Sequence, residues 1–139
     1  MTIKEVMTPH VEIIKPDISV AEAAQKMKSL DCGILPVYEN DKLIGMITDR
    51  DIAIRSSAEG HDPKTDKVRD IMTKKVVYCY EDEPVEKMAE TMEKNQIRRL
   101  IILNRQKRLV GICSLGDLVL ASRNKELSGE VLEKVSEHS

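Results

Sequence analysis

The sequence predicts an α/β (α+β) fold made of two β-α-β-β-α repeats, packed through their sheets with pseudo-two-fold symmetry. Two observations predict it: an internal repeat that holds register over about fifty residues, and the same order of short apolar runs and helical spacings in both copies. Val6-Met7-Thr8 aligns with Ile71-Met72-Thr73 at an offset of 65. The same offset aligns Asp17 with Asp82, Ala24 with Ala89, Met27 with Met92 and Leu35 with Leu100. After the next turn the offset becomes 66, so that Leu43-Ile44-Gly45 meets Leu109-Val110-Gly111, Thr48 meets Ser114 and Asp51 meets Asp117.

The elements follow in order. Val11 to Ile14, and Val76 to Tyr80 in the second copy, are apolar runs of strand length. A helix follows, with Val20, Ala23, Ala24, Met27 and Leu30 on one face. Ser19 with Glu22 three residues on has the pattern of a capping box, and Pro84 is placed at the first helical position of the second copy. Ile34 to Tyr38 and Leu43 to Ile47, split by Glu39-Asn40-Asp41-Lys42, predict a hairpin, repeated by Leu100 to Leu103 and Leu109 to Cys113. A second helix starts after Thr48 and runs through Ile52, Ala53 and Ile54; its counterpart starts near Leu115.

The expected organisation is repeat 1 over 1–59, a linker over 60–66, repeat 2 over 67–123 and an amphipathic tail helix over 124–139, with Leu127, Val131, Leu132 and Val135 at helical spacing. A unit of about sixty residues with three short strands cannot bury its sheet face alone, so two units are expected to share a core and form clefts between them.

Composition narrows the function classes. Three Tyr, no Phe and no Trp leave a core of Ile, Leu, Val, Met and Ala, and few surfaces for stacking single-stranded bases. A net charge of -2 and a pI near 6.0 give no electrostatic case for a nucleic-acid partner. No eighteen-residue apolar stretch offers a membrane span, and the N-terminus is charged and amphipathic where a signal peptide would be apolar. Cys32, Cys79 and Cys113 are odd in number and widely spaced, which reads as a reduced, cytoplasmic protein.

The opening Val6-Met7-Thr8-Pro9, the Leu35-Pro36-Val37 strand and Gly45-Met46-Ile47-Thr48-Asp49-Arg50-Asp51-Ile52 resemble the tandem cystathionine-β-synthase (CBS) domain pair, or Bateman module. Ile71-Met72-Thr73, Arg98-Arg99-Leu100 and Gly111-Ile112-Cys113-Ser114-Leu115-Gly116-Asp117-Leu118 carry it in the second copy. The resemblance spans about residues 1 to 122, and the chain is similar to small stand-alone prokaryotic members of the stress- or hypoxic-response type. It implies a non-catalytic regulatory module that binds an adenosine-containing ligand: AMP, ADP, ATP or S-adenosylmethionine. No cofactor is required; the expected partners are that small molecule, a second copy in a homodimer and an unidentified protein target, without nucleic acid or membrane. In such modules the Asp of the Gly-x-x-Thr/Ser-x-x-Asp motif holds the ribose hydroxyls, which assigns Asp51 and Asp117, with Thr48 and Ser114 near ribose or phosphate. Backbone groups near the first strand and the Leu-Pro-Val strand enclose the adenine, with Thr8 and Thr73 in the candidate set, and a basic residue before the Leu-Pro-Val strand often meets phosphate.

The residues themselves allow more than one role. A carboxylate at Asp51 or Asp117 can accept two hydrogen bonds from a cis-diol, and a helix start favours an anion. Thr48-x-x-Asp51 and Ser114-x-x-Asp117 equally fit a capping pair that starts a helix. Arg98 and Arg99 are adjacent before a strand, so only one can enter a given cleft; the other reading is a surface ion pair with Glu90 or Glu93. Copy one has Gly33-Ile34 there, with Arg50 and Arg55 flanking its Asp either as substitutes or as a solvated helix face. Unequal sites are therefore expected, the better one at Asp117. Gly45 and Gly111 fit either a close approach of backbone to ligand or a bend in the strand. Met27, Met88 and Met92 read as core, and no His or Cys falls in a catalytic or zinc motif. The competing functional reading is an interaction or dimerisation module with empty clefts.

Overall fold

The structure, a computed structural model, describes residues 1–9 and 11–121; the expected tail helix over 124–139 and His10 lie outside them. The described residues form two compact units, one of residues 1–9 and 11 with 77–121 and one of residues 12–76. Each unit thus combines the opening segment of one sequence copy with the body of the other.

In the first unit, a short helix α1 (Ile3–Val6) leads into β1 (Thr8–Pro9). The same unit resumes with β4 (Tyr78–Tyr80), α5 (Val85–Asn95), β5 (Arg99–Leu103), β6 (Leu109–Ser114) and α6 (Leu115–Ala121). Its sheet runs β1-β6-β5-β4, with β4 parallel to β5 and the other neighbours antiparallel. The second unit holds α2 (Val20–Leu30), the hairpin β2 (Ile34–Glu39) and β3 (Lys42–Thr48), one α-turn α3 (Asp49–Asp51), a π-helical stretch (Ile52–Ser57) and α4 (Val68–Ile71). Single bridges complete the same four positions: Thr73 against Met46 on β3, and Ile14 parallel to Val37 on β2.

Local chemistry accounts for these elements. Ser19 caps α2 by accepting from the Glu22 amide at 3.1 Å. Asp31 and Gln96 end α2 and α5 in the left-handed region, at φ 52° and 54°, where the amide of each folds back on the last turn. Asn40 and Asp41 both have positive φ, the geometry that lets a two-residue turn match the twist of β2 and β3. The single-residue slip between copies lies in the second hairpin loop, where Asn104 Oδ1 accepts from the amides of Gln106 and Arg108.

Each unit has its own core. Met88, Met92, Leu100, Ile102, Cys113 and Leu118 fill one together with Ile3 from the opening segment. Val20, Met27, Leu35, Val37 and Ile47 fill the other with Val68, Ile71 and Met72. Burying a side chain of this kind is worth roughly 1.5–3 kcal/mol, so the opening segments contribute several such terms to the unit they enter. The linker also belongs to a core-forming unit: the Pro63 and Asp66 carbonyls accept from the Ala21 and Val20 amides at 2.9 Å, satisfying orphan donors of α2.

Three expectations change. Of Val11 to Ile14 only Ile14 pairs, so the first strand of copy one is a bridge. Pro84 is the N-cap of α5, one residue before the expected position, because its ψ of 156° is extended. The helix after Thr48 is α-helical for one turn and then π-helical.

Candidate functional site

Thr48 ends β3 and Ser114 ends β6, and each begins a helix whose third residue is an aspartate. In the second unit the Thr48 hydroxyl accepts from the Asp51 amide at 3.1 Å, while the Thr48 amide donates to Asp51 Oδ2 at 3.0 Å. In the first unit the Ser114 hydroxyl accepts from the Asp117 amide and the Ser114 amide donates to Asp117 Oδ2, both at 3.0 Å. Both motifs are therefore reciprocal capping boxes, and each aspartate spends one oxygen on its own helix start.

Beyond that shared frame the two carboxylates differ. Asp51 is buried, with 8% exposure, and takes a further hydrogen bond from the Thr73 hydroxyl, 3.1 Å from both oxygens. Arg55 Nε stands 3.9 Å from Asp51 Oδ1, and Arg55 Nη1 donates to the carbonyls of Ile71 and Met72 at 3.3 and 3.0 Å. Asp117 is half-buried, and among the described residues no donor reaches its Oδ1. Thr8, the counterpart of Thr73, pairs through its backbone with Ile112 but is exposed and makes no hydrogen bond to Asp117 among the described residues. Ala121 stands where Arg55 has its position in the other copy.

The arginines separate as adjacent strand residues must. Arg99 is half-buried and lies directly opposite Ser114 in the β5–β6 register, which puts its side chain on the Ser114 side of the sheet. Arg98 is exposed, and its carbonyl accepts from the Leu115 amide at 2.7 Å. Arg50 is exposed and forms no ion pair among the described residues. Arg55 is more than a solvated charge, since it holds the C-terminal carbonyls at the end of α4. Nothing local announces that contact, because its acceptors lie sixteen and seventeen residues away.

The glycines make room for protein backbone. A Cβ on Gly45 would stand 2.7 Å from the Thr73 carbonyl oxygen, and one on Gly111 would stand 2.9 Å from that of Thr8. Both positions admit the opening segment against the strand that leads to the aspartate. Cys113 is buried one residue before Ser114; burial first, and the Asp117 charge second, push its thiol up to about 12. No cluster of His, Cys, Asp and Glu suited to a metal occurs among the described residues. No helix among them is long and apolar enough to cross a membrane.

Two β-α-β-β-α units, each ending a strand in a capped Thr/Ser-x-x-Asp turn, define a tandem repeat module. The family model for the CBS domain matches the chain twice, at residues 3–57 and 68–124, and the chain belongs to the CBS-domain family. The chain is 38% identical over 135 residues to the CBS domain-containing protein YhcV of Bacillus subtilis, covering 97% of this chain and 95% of that one. It also matches the inosine-5'-monophosphate dehydrogenase of Methanocaldococcus jannaschii at 40% identity, over only 22% of that enzyme's length. The crystal structure of Hypoxic Response Protein I with two coordinated zinc ions superposes with a TM-score of 0.77 at 32% identity, covering 88% of this chain and 99% of that one. CBS pairs are as a rule non-catalytic regulatory modules, and an enzyme matched here carries the pair as a minor part of its length.

Proposed function

We propose that this chain senses an adenosine-containing ligand of the AMP, ADP, ATP or S-adenosylmethionine class, bound chiefly at Asp117. The observation that carries the reading is Asp117 Oδ1, which no donor among the described residues reaches, beside the capped Oδ2. A carboxylate with one oxygen fixed and the other open accepts a ribose hydroxyl without giving up an internal bond. Arg99, across the ladder from Ser114, supplies the cation for a phosphate, a charge-assisted pair worth roughly 1.5–3 kcal/mol. Thr48, Asp51 and Thr73 form the second, more occupied position, with Arg50, Arg98 and Thr8 at the margins. Calorimetric titration with AMP, ATP and S-adenosylmethionine tests the reading, together with mass spectrometry of any nucleotide released on denaturation. Asp117→Ala should weaken binding at least tenfold and Asp51→Ala less; no binding below millimolar ligand removes the proposal.

A second reading rests on Ile54 and Leu120, exposed by 51% and 88% at the same position of the two copies. Repeated exposed apolar groups favour a homodimer formed irrespective of nucleotide. Sedimentation of Ile54→Lys and Leu120→Lys, with and without AMP, separates the two: a monomer in either variant, unaffected by AMP, supports the interaction module.

A further inference from the structure

We propose that the Thr73 hydroxyl acts as an internal stand-in for a ribose hydroxyl at Asp51, so that a nucleoside can use this carboxylate only by displacing Thr73. The inference rests on the reading that the paired aspartates take ribose, and adds how one of them is gated.

The two units provide an internal comparison. Thr73 opposite Met46 and Thr8 opposite Ile112 are the same ladder position, and Asp51 and Asp117 make the same capping box. Only the Thr73 hydroxyl reaches its carboxylate, 3.1 Å from both oxygens. With the Thr48 amide on Oδ2 and Arg55 Nε at 3.9 Å from Oδ1, neither oxygen of Asp51 is left without a donor or a cation. An aliphatic hydroxyl donating to a carboxylate is the same chemistry that a ribose hydroxyl would offer. The exchange is therefore one hydroxyl for another, and it frees Thr73 from the helix while leaving its backbone bonds to Met46 intact, at 2.8 and 2.9 Å. Asp117 has no such competitor among the described residues. The same ligand would thus fill the Asp117 position first. At higher concentration it would reach Asp51, and only there would binding displace a side-chain hydroxyl of the protein itself.

The test uses the full chain carrying Asp117→Ala, so that Asp51 is the remaining acceptor, with AMP and 2',3'-dideoxy-AMP as probes. Adding Thr73→Val, which keeps the β-branch and removes the hydroxyl, should tighten AMP binding about tenfold and leave the dideoxy compound unchanged. Thr73→Ser should restore the parental affinity, and adding Asp51→Ala should abolish the gain. Unchanged or weaker AMP binding in the valine variant overturns the proposal, as does equal tightening of both probes, which would mean general loosening. Urea midpoints for the serine and valine variants exclude a folding defect. Failure of the ribose reading shows separately, as absence of AMP binding to the wild-type chain, and the stand-in role falls with it.

Discussion

Gly45 and Thr73 approach so closely that a Cβ on the glycine would lie 2.7 Å from the threonine carbonyl oxygen, a distance real Cβ atoms essentially never adopt. The contact is with backbone, and that backbone is also bonded to Met46, so it cannot yield without breaking the Met46–Thr73 pair. Gly45→Ala should therefore destabilise the protein by about 1–3 kcal/mol. Gly111→Ala should cost a similar amount, because a Cβ there would stand 2.9 Å from the Thr8 carbonyl oxygen as well as 2.6 Å from Met7 Sδ. Gly116→Ala is the control: only Ser114 Oγ lies near, at 3.5 Å, and a helical alanine should be neutral or stabilising by up to about 1 kcal/mol. Urea midpoints compare the three, and midpoints equal to that of the Gly116→Ala control would contradict the close approach.

Arg55 holds two carbonyls that no other described donor takes as its side-chain target. Arg55→Met keeps the aliphatic stem and removes both hydrogen bonds to Ile71 and Met72. A loss of about 1–2 kcal/mol is expected, the guanidinium being half exposed. Faster hydrogen exchange at the Met72 amide, which donates to Val68, would locate the effect at the end of α4.

The thiols should react in a fixed order. Cys79 and Cys113 are buried with their thiols pushed up, the latter to about 12, whereas Cys32 is half-buried. Native protein at pH 8 should lose one thiol to an alkylating reagent quickly and the other two only on denaturation. A folded thiol raised from 9.0 to about 12 favours the native state below the unfolded value, and that contribution disappears as pH rises between the two. Stability should thus fall from about pH 9 towards 12, and Cys113→Ala should flatten the decline.

Two surface ion pairs should contribute to the acid limb. Arg69 donates to Asp17 and Arg105 to Asp82, and these bonds hold both carboxyls below the ordinary carboxylate value. A depressed folded value contributes stability that is present above the unfolded value of about 3.9 and is lost as pH falls through the folded one. Asp17→Asn and Asp82→Asn should therefore show a shallower loss of stability below about pH 4 than wild type, read from urea unfolding across pH 2 to 6. Parallel curves would mean the pairs are silent.

The chain itself determined the frame. Helical spacing, the Ser19 cap, the Asn40-Asp41 turn and the Thr/Ser-x-x-Asp starts act over a few residues, so their physics is complete within a short window of sequence. The offset between copies marked both hairpins and even the loop that carries the extra residue. The brief first strand of copy one was less legible, since an apolar run such as Val11 to Ile14 becomes a strand only where a partner offers its ladder.

Tertiary structure alone decided which body each opening segment joins, and hence why Gly45 and Gly111 must lack a side chain. It also decided that Asp51 is engaged by Thr73 and Asp117 is not, although the two motifs read alike. Those outcomes depend on hydrogen bonds between residues more than twenty positions apart, whose distances are set by packing and leave no local periodicity to read.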